Sequence, residues 1–223
     1  MCIDIPVELR DENVAVGLVK RYFEDDPATG QAEYSGAYFE RLGGGGDRPE
    51  VAYQITAEDL LAVSMLSVPV VRYYALHVLD YRGREISGLL AQIPLGVTLA
   101  DDEAEHLITE GGPAWKLWEL LRDIKPRPQD KKHLGPVAAG KLLARKRPQL
   151  LPVYDSHVKE VLRRPRNDQM WWSDLRCELT KDDALVRELE TVRARAGAGW
   201  LSLLRTFDIM CWMFGGSPEE AQA

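Results

Sequence analysis

The chain has 223 residues with 45% apolar and 28% charged side chains, ordinary globular usage that implies a packed core and excludes an unstructured polymer. Its net charge of −7 taken alone argues against a nucleic-acid partner. No apolar run approaches the ~20 residues that cross a bilayer, and the opening Met-Cys-Ile-Asp-Ile-Pro lacks a secretory pattern, so no membrane contact and a cytoplasmic location are expected.

In chain order, residues 13–25 carry apolar positions (Val14, Val16, Leu18, Val19, Tyr22, Phe23) in a helix-like mixture. Residues 31–42 are aromatic-rich and break at Gly43–Gly46. That glycine run lacks the Lys-Ser or Lys-Thr of a phosphate-binding loop and reads as a flexible connection. Residues 51–55 have the look of a short strand. Thr56 and Asp59 have capping-box spacing and open a helix through Ser67. Pro69 is placed at the first turn of the next helix, running to about Leu79 with His77 as a core histidine. Further helices are expected at 84–92, 112–124, 137–146, 156–164, 182–196 and 200–214, the last apolar nearly all round and therefore central. The fold class is all-α, a two-lobed helical domain with at most a minor β-strand component, expected to form one domain over residues 1–223. The three cysteines, Cys2, Cys177 and Cys211, have no metal-ligand spacing, and Cys211 reads as a small buried hydrophobe. No cofactor motif and no metal site is read. Trp171 and Trp172 fit core packing better than base stacking.

The charge is unevenly spread. Residues 116–166 hold 14 lysines and arginines against five acids, a local +9 that leaves −16 for the remainder. A basic segment on an acidic body meets phosphate in some proteins and pairs within its own fold in others, and both readings stand. Within the segment, Leu134-Gly135-Pro136-Val137-Ala138-Ala139 places a glycine at the mouth of a helix with small residues behind it. Glycine permits the tight turn, and proline costs nothing where its N–H would be unsatisfied. The outward N–H groups of such a turn, those of Val137 and Ala138, attract a phosphate. Lys141, Arg145, Lys146 and Arg147 would add salt-sensitive affinity. An apolar stretch then leads to Tyr154-Asp155-Ser156-His157-Val158.

This arrangement over residues 133–164 resembles the helix-hairpin-helix DNA glycosylase superfamily. In that family a glycine hairpin grips the DNA backbone and a catalytic aspartate follows about twenty residues later. The resemblance implies a helix-hairpin-helix element at about 112–146 and a catalytic segment at 150–164. Leu134 and Gly135 take the hairpin position, and Asp155 takes the catalytic position, supported by Tyr154 and His157. His133 replaces the first hairpin glycine, the connection from Ile124 is long and polar, and Val137 or Pro136 stands where the family's lyases have lysine. The implied chemistry is therefore monofunctional: Asp155 stabilises the cationic sugar and orients water. The chain also resembles an uncharacterised actinobacterial domain family through residues 45–49, 141–148 and 152–156.

Three functions follow. The leading one is a monofunctional glycosylase-like enzyme acting through Asp155, favoured because hairpin glycine and aspartate stand together at the family's interval. Another is a non-catalytic helix-hairpin-helix module that binds DNA or a protein partner. In the third, the scaffold carries another activity or none. Asp155 is also an ordinary N-cap, and Gly135 an ordinary helix-entry turn.

Overall fold

Apolar side chains recurring every three or four residues close into helices along most of the chain. The computed structural model describes residues 3–127, 129–165 and 168–216; Cys2 and Arg166, counted above, lie outside the described residues. Its helices are α1 (Glu12–Tyr22), α2 (Ala57–Ser64), α3 (Tyr73–Leu76), α4 (Gly83–Leu90), α5 (Ala104–Ile108), α6 (Pro113–Arg122), α7 (Pro136–Lys146), α8 (Ser156–Val161), α9 (Trp171–Thr180), α10 (Ala184–Arg195) and α11 (Leu203–Gly215). Among the described residues the only β pairing outside strands is an isolated bridge between Asp25 and Ala32, and no sheet forms. The fold is all-α.

The chain divides into two compact units. One combines the residues up to Ala37 with those from Pro152 onward, and the other is Tyr38–Leu151. In the first, α11 is the core element, packed on α1, α8 and α10, with Leu204 through Cys211 buried. Burial raises the Cys211 thiol well above its usual range, as expected of an inert hydrophobe. Tyr22, Tyr34 and Trp212 meet with ring centroids 5.4–5.9 Å apart. In the second unit α7 packs on α6 and α2, and α6 also packs on α4 and α5, burying Leu117, Leu121, Leu142 and Leu143.

Thr56 and Asp59 form the expected capping box at α2. Four expectations are corrected. Residues 51–55 form turns rather than a strand, because the Val51 and Ala52 carbonyls accept from Lys146 and Arg147 instead of a neighbouring strand. The helix expected from Pro69 begins at Tyr73, since Arg72 sits at φ +56°, outside helical geometry, and it continues as a π turn over His77–Tyr81. His77 is half-buried beside Pro126 rather than in a core. Helix α8 stops at Val161, with Arg163 at φ +50°. Helices α5 and α9 were not expected from the sequence: α5 is too short to show a period, and α9 opens on Trp171-Trp172, a poor helix signal.

Candidate nucleic-acid interface

Helices α6 and α7 pack together as a pair joined by residues 123–135. Two backbone hydrogen bonds close the connection at its base: Leu134 N–H donates to Ile124 C=O at 2.9 Å, and Gly135 N–H to Arg122 C=O at 3.0 Å. Gly135 lies at φ +91°, a region other residues enter only with strain, and nothing lies within 4 Å of where its Cβ would be. The glycine is therefore required by the turn and not by close packing. The Trp118 indole N–H donates to Pro136 C=O at 3.3 Å and fixes the helix entry against α6. Pro136 occupies the first turn, no side chain caps it, and the N–H groups of Val137 and Ala138 are among those a helix leaves without partners of its own. Ala138 and Ala139 are buried, their small size admitting α6.

The connection is basic. Arg127, Lys131, Lys132 and His133 are exposed, Lys125 is half-buried, and Leu134 and Gly135 are half-buried. Arg122 pairs with Asp123 at 2.9 Å and 3.0 Å and holds that carboxyl below its ordinary value. The exposed cations thus flank the uncapped helix start, where the helix dipole already favours an anion.

The other four expected phosphate ligands are placed elsewhere. Lys141, Arg145, Lys146 and Arg147 are at most 3% exposed. Lys141 Nζ donates to Leu66 C=O at 2.8 Å. The Arg145 guanidinium donates to Asp59 and to the carbonyls of Phe39, Glu40 and Leu42. Lys146 Nζ donates to Asp59 and to Val51 C=O, both at 2.9 Å. Arg147 donates to the carbonyls of Ile93, Ala52, Lys146 and Leu90. Burial pushes the Lys146 pKa down against the pull of Asp59, and burial pushes Arg147 down to about 10. Their role is corrected from solvent-facing phosphate contacts to internal ties, because each of the four is buried and donates to a carbonyl or carboxylate of the same unit.

The glycine run takes part in this arrangement. A Cβ at Gly46 would meet Arg145 C=O at 2.5 Å and Asp59 Oδ1 at 2.8 Å. Residues 39–46 are thus wrapped against a buried guanidinium, which corrects the reading of Gly43–Gly46 as a flexible connection. The sequence does contain a signal, a backbone approach that only glycine permits, but it names no partner.

Asp155 belongs to one unit, and Gly135 with α6 and α7 to the other. It is the N-cap of α8, with Oδ1 accepting from the His157 N–H at 3.1 Å and the Val158 N–H at 3.2 Å. Tyr154 stacks on Trp171 with centroids 4.3 Å apart, and its hydroxyl donates to Asp168 at 2.5 Å. Arg164 bonds Asp168 and Asp174, while Lys159 Nζ lies 4.8 Å from the Tyr154 ring centroid. Burial acts to raise the Asp168 carboxyl, but its bonds from Arg164 and Tyr154 outweigh this and hold it low. Burial, with the nearby Asp168, raises the Tyr154 hydroxyl. His157 is half-buried with its ring 6.0 Å from that of Trp212. Trp171 is buried, as core packing required.

No group of three or more His, Cys, Asp or Glu side chains suited to a metal ion occurs among the described residues. None of their helices is long and apolar enough to cross a membrane. A family model matches residues 15–215, and its description is a family of unknown function, DUF6308. The chain belongs to this family. No curated protein and no solved structure matches it.

Proposed function

We propose that this DUF6308 protein binds the phosphate backbone of DNA through the α6–α7 hairpin. The observation that carries this reading is the uncapped start of α7, where Gly135 turns the chain and Val137 is half-buried, beside the exposed cations Arg127, Lys131 and Lys132; the expected contact through Ala138 is dropped because that residue is buried. Backbone N–H groups at a helix start hold one phosphate oxygen each, and nearby lysines neutralise adjacent phosphates without reading sequence. The basic contribution comes from the connection and not from residues 141–147.

The expected protein is the non-catalytic member of the functions set out above. The Asp155 oxygen that caps α8 already accepts two backbone N–H groups, so a catalytic role would have to share it. Binding of a labelled blunt duplex, followed by fluorescence anisotropy, tests the reading. If Lys125, Arg127, Lys131 and Lys132 each neutralise one phosphate, log K falls against log salt with a slope of about −3.6, roughly a hundredfold between 50 and 200 mM. Affinity that is absent, or indifferent to salt, contradicts it. Alkaline strand scission after incubation with damaged or mispaired duplexes addresses chemistry: excision that disappears in Asp155→Asn would add the glycosylase activity to the binding.

A further inference from the structure

Beside the basic connection, and sharing Arg127 with it, lies an exposed apolar surface. The π turn His77–Tyr81 follows α3 directly, and the segment exposes Val71 (52%), Tyr73 (45%), Leu76 (44%) and Tyr81 (62%). Large apolar side chains grouped in this way on a surface mark a contact site. A π turn takes about one residue more than an α turn, which rotates later side chains back relative to an α-helix. Here it sets Tyr81 edge-on against His77, with centroids 5.1 Å apart.

The same segment is fastened to the hairpin connection. The Tyr74 hydroxyl donates to Lys132 C=O, His77 Nε2 is 3.4 Å from Pro126 C=O, and the Arg127 guanidinium lies 5.5 Å from the Tyr73 centroid. Arg72, which precedes α3, is held at φ +56°, a costly conformation for an arginine and of the kind that gathers at working surfaces. Exposed rings interleaved with cations match a nucleic-acid strand whose bases are unpaired, because every base offers a face for stacking while the phosphates meet the charges. An uncharged apolar partner would leave those cations unmatched.

We infer that Tyr73 and Tyr81 form a stacking platform for unpaired bases, so that the ligand is a single-stranded nucleic-acid segment adjoining the duplex held by the hairpin. The inference rests on the proposed function for the duplex half only. The two halves separate in one experiment on the full chain, with four labelled probes: a blunt duplex, the same duplex with a dT overhang, free oligo-dT, and an abasic sugar–phosphate strand of equal length.

The wild-type chain should hold oligo-dT and the overhang more tightly than the abasic strand. Tyr73→Ala and Tyr81→Ala should each weaken dT binding on the order of tenfold. Tyr81→Ala should leave blunt-duplex affinity unchanged, and Tyr73→Ala, which also releases Arg127, should change it less than it changes dT binding. Tyr81→Phe, which keeps the ring, should retain wild-type binding. If Tyr73→Ala fails to fold, Tyr81→Ala alone decides the matter, its side chain being the more exposed. Equal affinity for dT and abasic strands, or alanine variants that bind dT like wild type, would overturn the platform. So would a surface that takes anionic phosphatidylserine vesicles, or a second copy of the chain, and shows no preference for bases. Tyrosine-dependent dT binding with no blunt-duplex binding would overturn the hairpin reading and leave the platform standing.

Discussion

Residues 122–133 and 141–147 are comparably basic in sequence and have opposite fates in the fold. In the first stretch Arg127, Lys131 and Lys132 remain exposed. In the second every cation is buried and donates to carbonyls or to Asp59. The difference lies in acceptors. A charge taken out of water costs several kcal/mol unless hydrogen bonds replace its hydration, and around Arg145 the chain supplies three carbonyls and a carboxylate. A basic run is thus an interface only where the fold leaves its donors unanswered. Counting lysines and arginines cannot make that distinction.

The comparison breaks most visibly at Asp59. Replacing it with alanine leaves Arg145 and Lys146 buried without their carboxylate, and a loss of about 3–5 kcal/mol is expected in urea unfolding. A loss under about 1 kcal/mol would show that the carbonyls alone suffice.

Asp168 extends the test to the other unit, where it ties Arg164 as Asp59 ties Arg145. Its folded-state pKa is depressed below the ordinary aspartate value of 3.8, so its stabilising effect is present above that pH. The effect is lost as pH falls through the lower, folded-state value. Acid unfolding of Asp168→Asn should therefore be less steep below about pH 4 than that of wild type. Parallel acid limbs for the two chains would remove Asp168 from the account.

Asp155→Ala should cost about 1 kcal/mol as a lost N-cap, read by thermal or urea unfolding. An unchanged midpoint would mean that the cap is dispensable. The smallest stability effect belongs to the exposed cluster: Lys131→Ala/Lys132→Ala should stay within about 0.5 kcal/mol of wild type. A larger loss would place those side chains in the fold rather than on an interface.

The helical framework was legible because its signals are local. Val16, Val19 and Tyr22 repeat at helical spacing and form the buried stripe of α1, Thr56 and Asp59 stand three residues apart, and the apolar run at 203–211 fits a central helix. The turn at Gly135 was also readable, since it depends on one residue's backbone freedom. The burial of Arg145 was not, because its acceptors lie 86 to 106 residues away in sequence and carbonyl acceptors leave no mark on residue type. The π turn escaped for a related reason: Tyr73, His77 and Tyr81 share α-helical four-residue spacing, and the extra residue per turn has no sequence signature. The placement of Asp155 and Gly135 in different units was equally invisible, since their twenty-residue interval crosses the boundary at residue 151.

The salt dependence of duplex binding in Lys131→Ala/Lys132→Ala, compared with wild type, tests the assignment of the exposed connection most directly. Two phosphate contacts removed should reduce the steepness of log K against log salt by about 1.8, with no change in folding. A slope equal to that of wild type would mean that the duplex, if bound at all, is held somewhere other than the α6–α7 hairpin.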